Sequence, residues 1–240
     1  MPISRNELKS VTALVKRKGR AADRLFLAEG IRLLEEAVRF DFLPQTVYYA
    51  PSMCSPRAGS LLDTMKERGI SLCRIQKQQL LAMSDTKTPQ GVVGLFKRPE
   101  TGLGKLYRPD YRKILWCENI SDPGNLGTLI RSALAFGFGL VVTSGRSADA
   151  YAPKVVRSSA GAIFGLRVAR VETDKMLKFA SEKELRLIAT ELGGEILDEK
   201  ARCALGDQAI ILAIGSEGDG LSPDILSKAD RRVRIDHSDS

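Results

Sequence analysis

Two polar residues, Asn125 and Arg131, lie six positions apart in the segment Ser121-Asp-Pro-Gly-Asn-Leu-Gly-Thr-Leu-Ile-Arg131. The apolar residues 114–117 lead into this segment, and its Pro-Gly-Asn sequence favours a turn. Apolar residues then recur at helical spacing, and residues 140–142 read as the next strand. Ligands of open α/β sheets bind outside the carboxyl ends of the strands, so we expect the Asn125 amide and the Arg131 guanidinium to face a ligand site. Taken alone, a helix cap followed by a surface arginine would give the same pattern.

A second candidate segment is the glycine-rich sequence Gly215-Ser-Glu-Gly-Asp-Gly220, which follows the apolar residues 209–214. Such an apolar run is typical of a strand buried on both faces of a parallel sheet. The glycines would let the backbone approach a ligand, and Glu217 would point into the crevice. Ser222 and Pro223 are suited to the N-cap and the first position of a following helix. The glycine order differs from the dinucleotide fingerprint, and a tight exposed turn is the alternative.

Together the two segments resemble the motifs of the SpoU (TrmH-like) family of RNA ribose 2′-O-methyltransferases, within the SPOUT superfamily. The first motif is matched by Asn119, Asp122, Pro123, Asn125, Gly127, Arg131, Ala135 and Gly137, and the second by Gly215, Glu217, Gly218, Gly220 and Leu221. Residues 151–161, which include Lys154 and Arg157, fit the basic, small-residue helix between them. The resemblance covers residues 111–240.

The resemblance implies an α/β fold with a parallel sheet and a deep trefoil knot, an S-adenosyl-L-methionine cofactor, and a homodimer. It also implies that Arg131 helps to deprotonate the ribose 2′-hydroxyl and that Asn125 helps to orient this arginine and the RNA. Glu217 would lie beside it as an orienting carboxylate at the mouth of the cofactor pocket. An isolated guanidinium is a poor base because it keeps its proton at neutral pH, so this role requires help from a phosphate or from strong desolvation. The identity of the general base therefore stays open.

The resemblance also assigns the cofactor contacts, and the crowding of basic residues in the first twenty positions indicates a phosphate-contacting surface there. Residues 190–194, after the apolar strand 185–189, match a loop that cups the cofactor. The implied cofactor-binding residues are Thr190, Glu191, Leu192, Gly193, Gly215, Ser216, Gly218, Leu221, Ile235 and Ser240. The candidate RNA-binding residues are Lys16, Arg17, Lys18, Arg20, Asn119, Lys154 and Arg157. A solvated helix face is the alternative for the basic N-terminal residues.

The third family motif reads Ser-Leu-Asn and precedes a C-terminal helix, and only Ser240 matches it. We expect that the sequence is truncated relative to the gene product. In the family this helix completes the cofactor pocket, and without it hydrophobic strand faces would lose their cover.

A linker is predicted at residues 98–110, which contain two prolines and two glycines. Before it, residues 1–97 are expected to form a small α/β domain with a helix at 28–40, a strand at 46–50, a helix at 60–68 and a strand at 92–96. The segments Phe26-Leu-Ala-Glu-Gly30, expected to open the first helix, and Thr88-Pro-Gln-Gly-Val92 resemble the family's L30e-like RNA substrate-binding domain. Residues 111–240 would form the methyltransferase domain.

The composition favours a polyanionic partner, because the net charge is +8. The four cysteines show no Cys-x-x-Cys pairing and His237 is the single histidine, so we expect neither a metal nor disulfides, and a reducing cytoplasm fits. One histidine also argues against a Ser-His-Asp hydrolase. We expect no leader, and no apolar run approaches the ~18 residues of a membrane helix.

Two classes of function stay open. The first is methyl transfer to ribosomal RNA, with transfer RNA as the next substrate. The second is a non-catalytic RNA-binding or ribosome-assembly protein on the same scaffold. A nucleotide-dependent oxidoreductase is disfavoured by the glycine order.

Overall fold

The computed structural model describes residues 3–15, 24–100, 102–196 and 208–235. By its contacts the chain divides into two compact units, each with its own sheet. The first unit comprises Met1–Pro99, Gly127–Arg131 and Asp149–Gly165, and the second comprises Glu100–Leu126, Ser132–Ala148 and Leu166–Ser240.

The first unit is a small α/β structure, as the sequence predicts. Its strands are β1 (Leu25–Glu29), β2 (Thr46–Tyr49), β3 (Ser71–Arg74) and β4 (Val92–Lys97). Its helices are α1 (Arg5–Ala13), α2 (Ile31–Arg39), α3 (Pro56–Glu67) and α4 (Lys77–Met83), with a short 3-10 turn at Pro51–Met53. The sheet order is β1-β4-β2-β3, where β4 is antiparallel to both neighbours and β3 runs parallel to β2.

The segment Phe26–Gly30 does not open a helix, and that prediction is wrong. Phe26 pairs with Phe96 and Ala28 with Gly94 in the antiparallel β1–β4 ladder, and the side chains of Phe26 and Ala28 are buried. The helix begins only at Ile31, because Gly30 has a φ of 107° and breaks the chain direction between strand and helix. The helix predicted at 28–40 therefore begins three residues later than expected, at Ile31.

An aromatic cluster forms one core of the first unit. Phe26 and Phe96 stack with ring centroids 5.3 Å apart, and Phe164 lies 5.1 Å from Phe96. Tyr151 lies 4.9 Å from Phe26. Tyr151 precedes α7 (Pro153–Ser158), and Phe164 lies within α8 (Ala162–Gly165). Residues 149–165 thus belong to the first unit although they lie far along the chain.

The second unit is built on a fully parallel sheet, which confirms the predicted fold class. Its strands are β5 (Lys113–Glu118), β6 (Leu140–Ser144), β7 (Arg167–Arg170), β8 (Arg186–Ile196), β9 (Ile210–Ile214) and β10 (Arg231–Arg234), in the order β10-β8-β9-β5-β6-β7. The connecting helices are α5 (Leu103–Leu106), α6 (Pro123–Ala135, shared with the first unit), α9 (Thr173–Glu182) and α10 (Pro223–Lys228). The implied knot stays a prediction.

The central strands β5 and β9 supply the core of this unit, as their apolar sequences indicate. Trp116 is fully buried and donates its indole N–H to Ser144 Oγ at 2.9 Å, which satisfies the polar end of that ring. Leu106, inside the predicted linker, is buried in the same core. That part of the linker is therefore packed.

Candidate active site

The turn after β5 is fixed by its own backbone and by Asp122. Asn119 has a φ of 57°, a left-handed conformation that asparagine tolerates. Asp122 caps α6 by accepting a hydrogen bond from the Asn125 N–H at 2.9 Å, and Pro123 occupies the first helical turn. The strand-turn-helix joint predicted from the sequence is confirmed, and it places Asn125 at the carboxyl end of the sheet.

The Asn119 side chain ties the ends of two strands together. Its Oδ1 accepts the backbone N–H of Arg146 at 2.9 Å, and the backbone N–H of Asn119 donates to the Ser144 carbonyl at 3.3 Å. The side-chain amide oxygen of Asn119 is thus used within the protein. The predicted RNA contact of Asn119 stays a prediction. The Arg146 side chain, which the sequence did not single out, lies 3.4 Å from Asp219 Oδ2.

The glycine loop after β9 closes on itself. Ser216 N–H donates to the Gly220 carbonyl at 3.2 Å, and Gly220 N–H donates back to the Ser216 carbonyl at 3.0 Å. A Cβ on Gly215 would overlap the backbone of Gly220 and Leu221, so only glycine permits this narrow neck. The glycines are predicted to let the backbone approach a ligand, but Gly215 instead lies against the backbone of Gly220 and Leu221 in the same loop. This packing also fits the alternative of a tight turn.

The two sequence motifs meet at Asn125 and Glu217. The Asn125 side-chain amide donates to Glu217 Oε1 at 2.7 Å, although the residues are 92 positions apart. Both are exposed and line a polar cavity of about 370 Å³. Residues lining this cavity also include Asn119, Asp122, Arg146, Ser216 and Asp219. The structure therefore brings together two of the three predicted catalytic side chains.

A larger cavity of about 630 Å³ lies at the carboxyl ends of β9 and β10 and beside residues 190–193 of β8, and it shares Ser216 to Asp219 with the polar cavity. The predicted cofactor residues that line it are Thr190, Glu191, Leu192, Gly193, Gly215, Ser216, Gly218, Leu221 and Ile235. Ser240 lies outside the described residues. The volume is within the range of about 300–1,000 Å³ typical of small-molecule sites.

One wall of this cavity is an excursion of β8. Arg232 pairs with Ala189 and the next residue, Val233, pairs with Glu195, so residues 190–194 leave the ladder between these positions. The predicted loop is thus present inside a strand. At its return, a Cβ on Gly194 would lie 2.7 Å from Val233 N.

Arg131 is exposed on α6 and does not line either of these two cavities among the described residues. At about 100° per residue, six residues rotate its side chain about 240° around the helix from that of Asn125. The two side chains therefore leave the helix in different directions. The catalytic role of Arg131 stays a prediction.

The candidate RNA contacts are divided between described and undescribed parts of the chain. Arg157 forms an ion pair with Asp85 at 3.1 Å, and it lines a cavity of about 550 Å³ in the first unit. That cavity also includes Gly30 and Gln90 from the two predicted substrate-domain segments. Lys154 is exposed. Lys16, Arg17, Lys18 and Arg20 lie outside the described residues.

Sequence reasoning missed Glu118, the last residue of β5. It is only 2% exposed, and its carboxylate accepts hydrogen bonds from Ser222 and Thr173. The signal was an acidic residue at the end of an otherwise apolar strand, since a carboxylate is rarely buried without partners.

Cys54, Cys73 and Cys117, the cysteines that the structure describes, form no disulfide, and burial raises the pKa of the Cys117 thiol to about 12. In the described ranges, no three His, Cys, Asp or Glu residues are grouped as a metal site would require. Within those same ranges, no helix is long and apolar enough to cross a membrane.

Two family models match the chain. The model of the SpoU rRNA Methylase family matches residues 112–240, and the model of an MRM3-like substrate binding domain matches residues 5–94.

Curated relatives carry similar names. The human mitochondrial rRNA methyltransferase 3 is 32% identical over 67% of this chain, which corresponds to 39% of the human protein's length. The 23S rRNA (guanosine(2553)-2′-O)-methyltransferase RlmP of Bacillus subtilis is 29% identical over 95% of this chain and 86% of its own.

A solved structure is similar over nearly the whole chain. The SpoU methyltransferase AviRb of Streptomyces viridochromogenes, in complex with the cofactor AdoMet, superposes with a TM-score of 0.80 at 27% identity. The match covers 97% of this chain and 89% of AviRb.

Proposed function

Since this chain belongs to the SpoU rRNA methylase family, we propose that it transfers a methyl group from S-adenosyl-L-methionine to a ribose 2′-hydroxyl of ribosomal RNA. The observation that carries this proposal is the Asn125–Glu217 hydrogen bond, which joins the two motifs at the rim of the 630 Å³ cavity. The Bacillus subtilis relative, named as a 23S rRNA 2′-O-methyltransferase, supports the choice of substrate.

The larger cavity is suited to an adenosine-bearing cofactor. Backbone groups of residues 190–193 and 215–218 line it, and nothing lies within 4 Å of the positions where Gly193 and Gly218 would carry a Cβ. Two apolar side chains at the cavity, Leu192 and Ile235, are 90% and 70% exposed, which leaves apolar surface for a ring system to cover. When bound, S-adenosyl-L-methionine supplies a methyl group on a sulfonium, activated for attack by an oxygen nucleophile.

The chain's own side chains would orient the acceptor. Asn125 is held by the capped start of α6 and in turn directs the Glu217 carboxylate, so the polar cavity presents a fixed amide and a fixed carboxylate to the ribose. We assign Arg131 to assisting removal of the 2′-hydroxyl proton, with an RNA phosphate as its partner. In a homodimer, which we also propose, the exposed face of α6 that carries Arg131 would be available to the second copy; Phe136, just after α6, is 70% exposed.

The first unit would capture the RNA. Its 550 Å³ cavity places Arg32 and Arg157 beside Thr88 and Gln90, side chains that can contact phosphates and base edges. We propose the division into a substrate-binding domain (1–97), a linker (98–110) and a methyltransferase domain (111–240). We also propose a cytoplasmic location.

The direct test is methyl transfer from labelled S-adenosyl-L-methionine to ribosomal RNA isolated from cells that lack the gene, with transfer RNA from the same cells as the comparison. Label on a ribose 2′-oxygen of ribosomal RNA is expected. RNA that binds tightly but gains no label would identify the non-catalytic RNA-binding alternative. Label on transfer RNA alone would correct the substrate.

A further inference from the structure

The side-chain carboxylate of Glu118 is buried inside the second unit and accepts hydrogen bonds from uncharged donors. Ser222 donates its N–H to Oε2 at 2.7 Å and its hydroxyl to Oε1 at 2.9 Å, and Thr173 donates its hydroxyl to Oε1 at 3.0 Å. Burying a carboxylate is costly unless such hydrogen bonds offset the lost hydration. An apolar side chain would fill this part of the core without the cost of burying a carboxylate. The carboxylate at position 118 therefore indicates a role beyond filling space.

Strand β5 secures both ends of the glycine loop, and Glu118 provides the second attachment. The chain enters the loop from β9, which pairs with β5 up to the contact of Cys117 with Ile214. It leaves the loop at Leu221, and the next residue, Ser222, is bound to the Glu118 side chain. Consecutive residues of one strand thus hold the entrance and the exit of the loop.

The Ser222 side chain binds Glu118 and does not cap the helix that follows it. It is the N-cap of α10, as the sequence predicts, but its side chain makes no capping hydrogen bond. The hydroxyl is donated to Glu118 instead. A serine hydroxyl can donate and accept at the same time, but here it donates to Glu118 and accepts no capping hydrogen bond from α10, so the hydrogen bond this side chain makes is the one to β5.

We propose that Glu118 is a positioning residue that keeps the glycine loop, residues 215–221, in the shape that receives the cofactor. The proposal rests on the proposed function of the larger cavity. Glu118 does not line that cavity; it acts through Ser222 and through the adjoining Leu221, which is buried and lines the cavity wall.

The test compares three variants. Glu118→Gln keeps the side-chain size but replaces one acceptor oxygen with a donor, and Ser222→Ala removes the hydroxyl that binds Glu118. Thr173→Val is the matched control, because it removes a hydroxyl donor to the same Oε1 atom from α9, which is not part of the glycine loop.

The first readout is hydrogen exchange in the absence of cofactor. The N–H groups of Ser216, Gly220 and Ser222 are hydrogen-bonded in the loop and at its exit. We expect Glu118→Gln and Ser222→Ala to speed exchange of these amides about tenfold, with amides of β6 unchanged. The second readout is calorimetric binding of S-adenosyl-L-methionine, whose dissociation constant should rise about tenfold in these two variants and stay within about twofold of wild type in Thr173→Val.

Two outcomes would overturn the proposal: unchanged exchange in Glu118→Gln, or equal effects of Thr173→Val and Ser222→Ala, which would reduce Glu118 to a general stability role. If the wild-type protein binds no S-adenosyl-L-methionine, the proposed function fails, while the exchange experiment still decides whether Glu118 holds the loop.

Discussion

Two adjacent glycines, Gly193 and Gly194, should respond very differently to the same substitution. A Cβ on Gly194 would lie 2.7 Å from Val233 N and 2.8 Å from the carbonyl carbon and oxygen of Arg232. These are backbone atoms of β10 and cannot turn away as a flexible side chain could. At Gly193, nothing lies within 4 Å of the added atom.

Overpacking a well-packed site typically costs about 1–3 kcal/mol. We therefore expect Gly194→Ala to lower the free energy of unfolding by about that amount. For a chain of this size 1 kcal/mol corresponds to about 2–4 °C, so the melting temperature should fall by about 2–12 °C. Gly193→Ala should change the free energy of unfolding by less than about 0.5 kcal/mol.

Both variants are measured by thermal unfolding followed by circular dichroism, under identical buffer conditions. Cofactor binding by calorimetry adds a functional readout, since Gly194→Ala must displace the β8 excursion that lines the larger cavity. Equal melting temperatures for the two variants would refute the assignment of residues 190–194 as an excursion pinned against β10.

Three further outcomes are expected. Arg131→Ala should abolish methyl transfer while the calorimetric affinity for S-adenosyl-L-methionine stays near that of wild type, and Arg131→Lys controls for charge; full activity of the alanine variant would remove Arg131 from the mechanism. Because burial raises the pKa of Cys117 to about 12, iodoacetamide at pH 8 should modify it only after unfolding in urea, and peptide mass mapping that finds it modified in the native protein would contradict its burial. Burial, together with the hydrogen bond to Glu7, raises the pKa of Tyr48 above its ordinary value of 10, so the free energy of unfolding should fall as pH rises above about 10, and Tyr48→Phe should flatten that decline in alkaline urea titrations.

The parts of the fold that could be predicted are those with strong local signals. The apolar runs of β5, β6 and β9 indicated buried parallel strands, and Asp122 with Pro123 marked the start of α6. These signals are local because a buried strand and a capped helix each need their own residue types at fixed positions.

The wrong prediction at β1 arose where tertiary contacts override the local sequence pattern. The residues of β1 fit a helix as well as a strand, and only pairing with β4 decides between them. Leu106 lies in the predicted linker, and local composition gave no sign that its side chain packs into the core of the second unit.

The sequence predicted which residues would form the candidate site, but it did not predict the hydrogen bonds between their side chains. The motif resemblance named Asn125 and Glu217 but gave no direct contact between their side chains, because a contact across 92 positions depends on the sheet order. Glu118 escaped notice for the same reason: its partners, Thr173 and Ser222, come from distant segments.

The most direct test of the central claim is a map of ribose 2′-O-methylation across all RNA of the organism, with and without this gene. The account predicts that a single ribosomal RNA position loses its methyl group and regains it when the wild-type gene, but not the Arg131→Ala variant, is restored. An unchanged map would contradict the proposed methyl transfer.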